Sequence, residues 1–500
     1  MSDLTESKNS IIPLNNKFIE FGRHFLIYGV GSALQGLVTF MLLPLLSTYF
    51  TVDDYGRYSL IILVGNLLGS FFYLGGQTAI IRFYFEEKND VFQSRVVTNT
   101  LVITLIGAFL CIIIGFTSST ILSQIIFESD SYWKVFALSS FAAAMAIINT
   151  YLITYLRLIK KSTLFIIANL VSLLLNFIST YLFLKYDFFS NSLVSPFVGQ
   201  ILGLAGSIFL SFYPIIKYFK KTHLDLVKIR SYFMFSFPIV LMGLIRYLFE
   251  ASDRFVMESY LSLAEVGIYS FGYKLGTIVN LLFIVPFGLI FSILRMEYSN
   301  ENTNVDFFKK TLIYFSLIGF TIVLLLTISI KIIISLATDS YEYQNAFIVA
   351  PWILVGQLIL GYAGIFDYGI YKAKKTYYYF TIYGIAFVFN IILNLIFLKY
   401  FGLQFAAINK MISYLFLVIL IYYFSNKYFE IPIEKRFLKL LLSFVFAFTL
   451  VMCIMHFNFS FYYYLMVMFL LLTYWYKAII DSDEKKFMLH IKNKIKSKKR

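Results

Sequence analysis

DDYGRYS, residues 53–59, returns as AEVGIYS at 264–270. An acidic–x–Gly–x–Tyr–Ser phrase is thus stated twice, 211 residues apart, in a chain of 500. Two further pairs keep nearly the same spacing. NFISTYLFLKY (176–186) and NIILNLIFLKY (390–400) agree at six of eleven positions, at an offset of 214. IKKS, with Lys160 and Lys161, faces AKKT, with Lys374 and Lys375, again at 214. Each match alone is weak, because apolar sequence yields chance similarities. Three in order at one spacing indicate internal duplication.

Composition says what was duplicated. Hydrophobic residues make up 60% of the chain, aromatic residues 20%, and mean hydropathy is +0.79. Soluble domains hold about 45–50% apolar residues, and the excess here has no water-soluble core to hide in. Charged residues are 14% of the chain and come in clumps between long uncharged runs. The class is therefore an all-α, polytopic membrane protein.

A crossing needs about 20 apolar residues. That ruler gives fourteen segments: six between 24 and 216, six between 232 and 424, and two at 437–457 and 461–479. The division at 117–133 and the short gap near 458 are the weakest boundaries, so twelve or thirteen spans also fit. Six spans return a chain to its starting side. The two copies then share one orientation and should be related by a pseudo-twofold axis along the membrane normal.

The expected organisation is a cytoplasmic segment (1–23), an N-lobe (24–218), a cytoplasmic loop (219–231), a C-lobe (232–425), two added spans (437–479) and a basic tail (480–500). Lys and Arg gather in alternate loops, for example Lys217, Lys220, Lys221, Lys228 and Arg230, or Lys372, Lys374 and Lys375. This asymmetry predicts that both termini are cytoplasmic. It also makes the net charge of +15 mainly a topology signal, with no soluble domain to bind nucleic acid.

Within the repeated phrase, Asp54 and Glu265 can cap the helices that follow. Gly56 and Gly267 allow helices to approach closely, and Tyr58 and Tyr269 suit the headgroup interface. All three roles are structural. Cys111 and Cys453 sit in apolar runs and read as packing residues. No loop exceeds roughly fifteen residues, and there is no phosphate-binding loop, no HExxH and no His cluster. Enzyme classes that need an extramembrane domain are disfavoured, and no cofactor or metal is implied.

YFTVDDYGRYS, GGQTAIIRFYFE, DRFVMESYLSLAEVGIYSFGYKLG and NIILNLIFLKYFGLQFAAINK together resemble the polysaccharide (O-antigen type) flippases of the multidrug/oligosaccharidyl-lipid/polysaccharide exporter superfamily. The resemblance covers about residues 20–480. GLQFAAI (402–408) departs from it, having Gln404 and Phe405 where a second Gly is more usual. The resemblance implies two six-helix lobes about a central cavity, working by alternating access. Its cargo would be an undecaprenyl-pyrophosphate-linked oligosaccharide, for O-antigen, capsule or related polymers. Possible partners are membrane lipids and the polysaccharide polymerase and chain-length machinery, and the location would be the cytoplasmic membrane.

Ionisable residues inside spans are costly and usually line a cavity or form a pair. Arg246, Glu250 and Arg254 share one face of span 7, with Asp253 adjacent. Lys274 lies in span 8 and Lys410 in span 12. Arg246, Lys274 and Lys410, with Glu250 nearby, are candidates to line a lumen and attract a pyrophosphate headgroup. The alternative for Arg246 is a self-neutralised pair that packs the lobe. Asp253 and Arg254 read as a structural pair at the outer end. Arg82 and Arg295, at equivalent ends of spans 2 and 8, are candidates for the cytoplasmic mouth. Asp367 in span 10 is a weak candidate for ion coupling. Gly and Pro in spans 1, 7 and 8, among them Pro44, Pro238, Gly243 and Pro286, fit helices that bend to open a lateral gate. A cation-coupled small-molecule exporter of the same superfamily and a non-transporting assembly protein remain alternatives. Residues 24–50 carry no Asp or Glu of the kind such exporters keep.

Overall fold

A computed structural model describes residues 40–219, 224–297, 304–457 and 459–479. The N-terminal segment, most of the first span and the basic tail lie outside them, and so do Gly29, Gly31, Gly36 and both termini. Among the described residues the chain is helical, with no strand. The helices, in order, are α1 (Phe40–Tyr49), α2 (Val52–Phe71), α3 (Gly76–Phe83), α4 (Asp90–Phe127), α5 (Trp133–Leu158), α6 (Ser162–Lys185), α7 (Val194–Phe219) and α8 (Leu226–Tyr260). Then come α9 (Leu263–Gly276), α10 (Val285–Glu297), α11 (Asn304–Ala337), α12 (Ala350–Phe366), α13 (Tyr368–Lys372), α14 (Tyr377–Asn426), α15 (Lys435–His456) and α16 (Phe461–Ala478). Every backbone polar group at membrane depth must be satisfied within the protein, and helices do this locally.

Ten described helical segments are long and apolar enough to cross a membrane, or eleven if α2 and α3, bent by 44° at their junction, count as one. The protein is a multi-pass membrane protein. α14 has 50 residues and breaks at Gly402, whose φ of 61° and ψ of −154° suit glycine alone. A straight helix of that length would run about 75 Å, far beyond a hydrocarbon layer of about 30 Å. The chain turns back at Gly402 instead, and Phe389 stacks on Phe416 at 4.3 Å across the two halves. These halves match the eleventh and twelfth expected spans. The full count of fourteen is not established, because the first span is mostly undescribed and α16 is less apolar than the ten.

The described residues form two compact units. One comprises residues up to 49 and 61–240, the other 50–60 and those from 241 onward. The division differs from the expected lobes in two ways. It falls inside α8 rather than in the loop before it, and it moves 50–60 into the C-terminal unit. The repeated phrase explains the second difference. A Cβ on Gly56 would meet the Leu263 carbonyl oxygen at 2.2 Å, and one on Gly267 would meet the Val52 carbonyl oxygen at 1.9 Å. The two contacts are exchanged by the 211-residue offset, so the starts of α2 and α9 cross with a local twofold relation. On that same offset Ser270 Oγ donates to Ser59 Oγ at 2.9 Å. The caps repeat as well. Ser262 Oγ accepts from the Glu265 N–H while the Glu265 carboxylate accepts from the Ser262 N–H. At α2, Thr51 Oγ1 accepts from the Asp54 N–H (3.2 Å) and donates to Asp54 Oδ2 (2.8 Å).

Tyr343 pins the segment further, since its hydroxyl faces the carbonyls of Phe50 (3.1 Å) and Thr51 (3.0 Å). Burial pushes this phenol well above its ordinary pKa, so it stays a donor. Cys111 is buried as expected, whereas Cys453 is exposed on α15.

Candidate functional site

α8 and α9 carry most of the ionisable residues at membrane depth, and the C-terminal unit treats them in two ways. Some are sealed inside. Lys410, on the second half of α14, is fully buried with Asp253 of α8, their Nζ and Oδ2 2.8 Å apart. The same ammonium donates to the Phe249 carbonyl and lies 4.8 Å from the Phe249 ring centroid. Asp253 Oδ1 accepts from Asn394 Nδ2 at 3.0 Å, and Oδ2 from the Tyr269 hydroxyl at 3.2 Å. Both carboxylate oxygens are thus occupied by buried donors.

This corrects three expectations. Lys410 is not a lone cation facing a lumen; its partner is a carboxylate more than 150 residues away in sequence. Asp253 and Arg254 are not a pair with each other, because adjacent residues on a helix point about 100° apart. Arg254 turns instead to α9, donating from Nε to Ser270 Oγ (3.1 Å) and lying 4.3 Å from the Tyr273 ring centroid. Tyr269 does not sit at a headgroup surface but is buried against Asp253.

The pair is the head of a longer network. Asn390 Oδ1 accepts from Ser252 Oγ (3.1 Å) and Asn390 Nδ2 donates to Ser413 Oγ (3.0 Å). Asn409 Nδ2 donates to the Asn390 carbonyl (3.0 Å). Beside it, Gln357 Nε2 donates to the hydroxyls of Tyr273 (3.3 Å) and Tyr414 (3.4 Å), and Asn280 Nδ2 donates to Gln357 Oε1 (2.9 Å). Asn280 opens a π-helical turn, Asn280–Ile284, that joins α9 to α10. None of these amides was expected as a site residue. The signal was present in NIILNLIFLKY, where two Asn four residues apart interrupt an apolar run and so must find partners on one helix face.

Other charges stay accessible. Arg246 donates from Nε to Glu250 Oε1 at 3.1 Å, with side chains 60% and 35% exposed. An arginine that open at mid-span requires water or another polar partner to be tolerable. Lys274 is half-buried on α9, where Arg254 acts on it as a like charge. Arg246, Glu250, Arg254 and Lys274 thus belong to one neighbourhood of the C-terminal unit, and Lys410 lies behind it.

The remaining candidates are elsewhere. Arg295 of α10 pairs with Asp367 at 2.9 Å, and Asp367 also accepts from the Tyr379 hydroxyl at 2.8 Å. The mouth candidate and the coupling candidate therefore neutralise each other. Arg82 pairs with Glu86 at 2.9 Å on the surface of the other unit. Among the described residues no group of three or more His, Cys, Asp or Glu could hold a metal ion.

Solved structures share this multi-pass helical architecture. A lipid II flippase MurJ in its inward closed conformation aligns over 91% of this chain and 99% of its own, with a TM-score of 0.70 at 19% identity. Multidrug resistance MATE family transporters align over 81% of this chain. The inward-facing conformation has a TM-score of 0.59 at 14% identity, covering 94% of that chain. The outward-facing one has 0.58 at 12%, covering 93%. A search of curated proteins by sequence found no match. Residues 21–291 match the family described as Polysaccharide biosynthesis protein, and the chain belongs to that family.

Proposed function

We propose that the protein turns an undecaprenyl-pyrophosphate-linked oligosaccharide from the inner to the outer face of the cytoplasmic membrane, by alternating access, for a surface polysaccharide such as O-antigen or capsule. The observation that carries this reading is a polysaccharide-biosynthesis chain with a flippase fold that leaves the Arg246 guanidinium open at mid-span. A pyrophosphate crossing the bilayer needs forked, charge-assisted donors to replace its water. Arg246 and Lys274 supply them, Glu250 holds Arg246 in place until cargo arrives, and Lys410 with Asp253 braces α8 from behind. Arg82 and Arg295 stand at the cytoplasmic mouth, both termini are cytoplasmic, and the polymerase and chain-length machinery act on the product.

The test is replacement of the chromosomal gene by Arg246→Ala and Arg246→Lys variants, with surface polymer and inner-face lipid-linked oligosaccharide measured at matched protein level. Loss of polymer with accumulation of the lipid-linked precursor in the alanine strain, partly relieved by lysine, is expected. Normal polymer in the alanine strain would remove Arg246 from the site.

A further inference from the structure

The two ends of α14 meet. Lys375, Tyr377 and Tyr378 stand at its start, and Tyr423, Lys427 and Tyr428 at its finish, yet the hydroxyls of Tyr378 and Tyr428 are 3.2 Å apart. The Tyr377 and Tyr378 rings stack at 4.5 Å. Lys427 Nζ lies 4.8 Å from the Tyr423 ring centroid and Lys375 Nζ 5.9 Å from that of Tyr377. Both lysines are exposed, and among the described residues no ion pair reaches either of them. Glu430, the carboxylate nearest in sequence to Lys427, is exposed and pairs with neither. Two hydroxyls that share one hydrogen bond also leave one proton to donate outward.

Beneath this polar group runs an apolar stripe. Leu415, Ile419 and Tyr423 are all exposed, at four-residue spacing, and the next step in the row is Lys427. From 415 to 427 the helix rises about 18 Å, close to the roughly 15 Å depth of one leaflet's hydrocarbon.

We propose that this surface binds an anionic phospholipid. Its headgroup phosphate is held by Lys375, Lys427 and the Tyr378–Tyr428 hydroxyls, and an acyl chain lies along Leu415, Ile419 and Tyr423. The stripe selects the source. A free phosphate would use the lysines and gain nothing from an exposed apolar row one leaflet deep, whereas a phospholipid uses both. Uncompensated ammoniums select the charge, since a zwitterionic headgroup brings its own cation. The site is distinct from the Arg246 neighbourhood and does not depend on the cargo reading.

The test is native mass spectrometry of the purified full chain with an equimolar mixture of phosphatidylglycerol and phosphatidylethanolamine. The wild type should retain phosphatidylglycerol in preference by roughly thirtyfold, from about 1 kcal/mol for each of two lysines at a charged membrane surface. Lys375→Ala/Lys427→Ala should bring the two lipids level. Lys375→Arg/Lys427→Arg should keep the preference and show that the surface tolerates substitution. Arg246→Ala should also keep it while losing translocation, which separates this site from the cargo site. A wild type without preference, or a preference that survives the alanine pair, would overturn the proposal. So would retention of undecaprenyl phosphate in place of phosphatidylglycerol by the same lysines, which would make the patch a cargo contact.

Discussion

α6 and the first half of α14 stand 214 residues apart, at the spacing of the sequence matches, and they settle their polar residues differently. In α14, Asn390 and Asn394 face a buried Lys410–Asp253 pair. At the positions 214 residues earlier, α6 has Asn176 and Thr180, and these simply bond to each other, Thr180 Oγ1 to Asn176 Oδ1 at 3.2 Å. At the same offset Pro196 stands where Lys410 does, and 211 residues before Asp253 the chain has Leu42. Among the described residues of the N-terminal unit, buried neutral contacts include Thr100 Oγ1 with the Tyr151 hydroxyl at 2.9 Å and Ser139 Oγ donating to the Ile61 carbonyl at 3.1 Å. Its one described ion pair, Arg82–Glu86, is a surface pair within one helix turn. Among the described residues, the ion pair with both side chains buried, Lys410–Asp253, belongs to the C-terminal unit.

The sharpest way to break this contrast is to unpair its centre. Asp253→Ala leaves an ammonium buried without its counter-charge, at a cost of about 3–5 kcal/mol. Replacing both partners with apolar residues of similar size, Asp253→Leu/Lys410→Met, should recover most of that loss. Unfolding of the detergent-solubilised protein, followed across the double-mutant cycle, measures it. If Asp253→Ala melts like wild type, the pair does not hold α8, and the asymmetry between units is cosmetic.

Where the two copies of the repeated phrase touch, the contrast should vanish. Gly56→Ala and Gly267→Ala each drive a methyl into a carbonyl oxygen of the other segment. Both should cost about 1–3 kcal/mol by overpacking, and by similar amounts if the crossing is symmetric. Gly243, with nothing within 4 Å of an added Cβ, is the control: alanine there should leave the melting temperature unchanged or raise it. Unequal costs at 56 and 267 would end the twofold reading.

In the N-terminal unit the neutral contact should be worth less. Tyr151→Phe removes a hydroxyl that faces Thr100 Oγ1 and donates to the Val97 carbonyl, both at 2.9 Å. About 1 kcal/mol is expected, roughly a quarter of the Asp253→Ala effect, read in the same melt. A loss as large as that of Asp253→Ala would erase the difference between the units.

What the sequence made legible was whatever depends on local pattern. Apolar runs gave the class and most crossings, and the repeated phrase gave the Glu265 cap and the close approach of Gly56 and Gly267, whereas the Asp54 carboxylate accepts from the Thr51 hydroxyl and the α2 cap is Thr51. Even the break at Gly402 was marked by a gap between two apolar runs. What it did not give were partners. Lys410 looked solitary because its carboxylate lies in another span, and span-to-span pairing leaves no trace in one chain's spacing. Asp253 and Arg254 looked like a pair because they are neighbours in sequence, although adjacency on a helix sends side chains apart. Asn390 and Asn394 were visible as an interruption of an apolar run, but their chemistry depends on Ser252, Asp253 and Ser413, which only folding brings near. The segment 50–60 was placed with the first lobe by sequence order, and its side in the fold is decided by two glycines and by Tyr343.

The smallest effect belongs to the surface. Arg82 and Glu86 form an exposed pair at i,i+4 spacing, and such pairs contribute about 0.3–0.5 kcal/mol because water already solvates both ends. Arg295, its counterpart in the repeat, is largely buried and reaches Asp367 on another helix, with the Tyr371 ring 4.6 Å away. Arg82→Ala should therefore shift the melting temperature by little, and added salt should remove most of what remains. Arg295→Ala, which strips a half-buried carboxylate of its cation, should shift it several times more and respond weakly to salt. Surface polysaccharide measured on the same two variants then sharpens the comparison. If Arg82→Ala leaves stability intact but reduces polymer, its value lies in meeting cargo, whereas parallel losses of stability and polymer at Arg295 mark a brace. Equal stability losses at both positions would show that the two ends of the repeat were never differentiated.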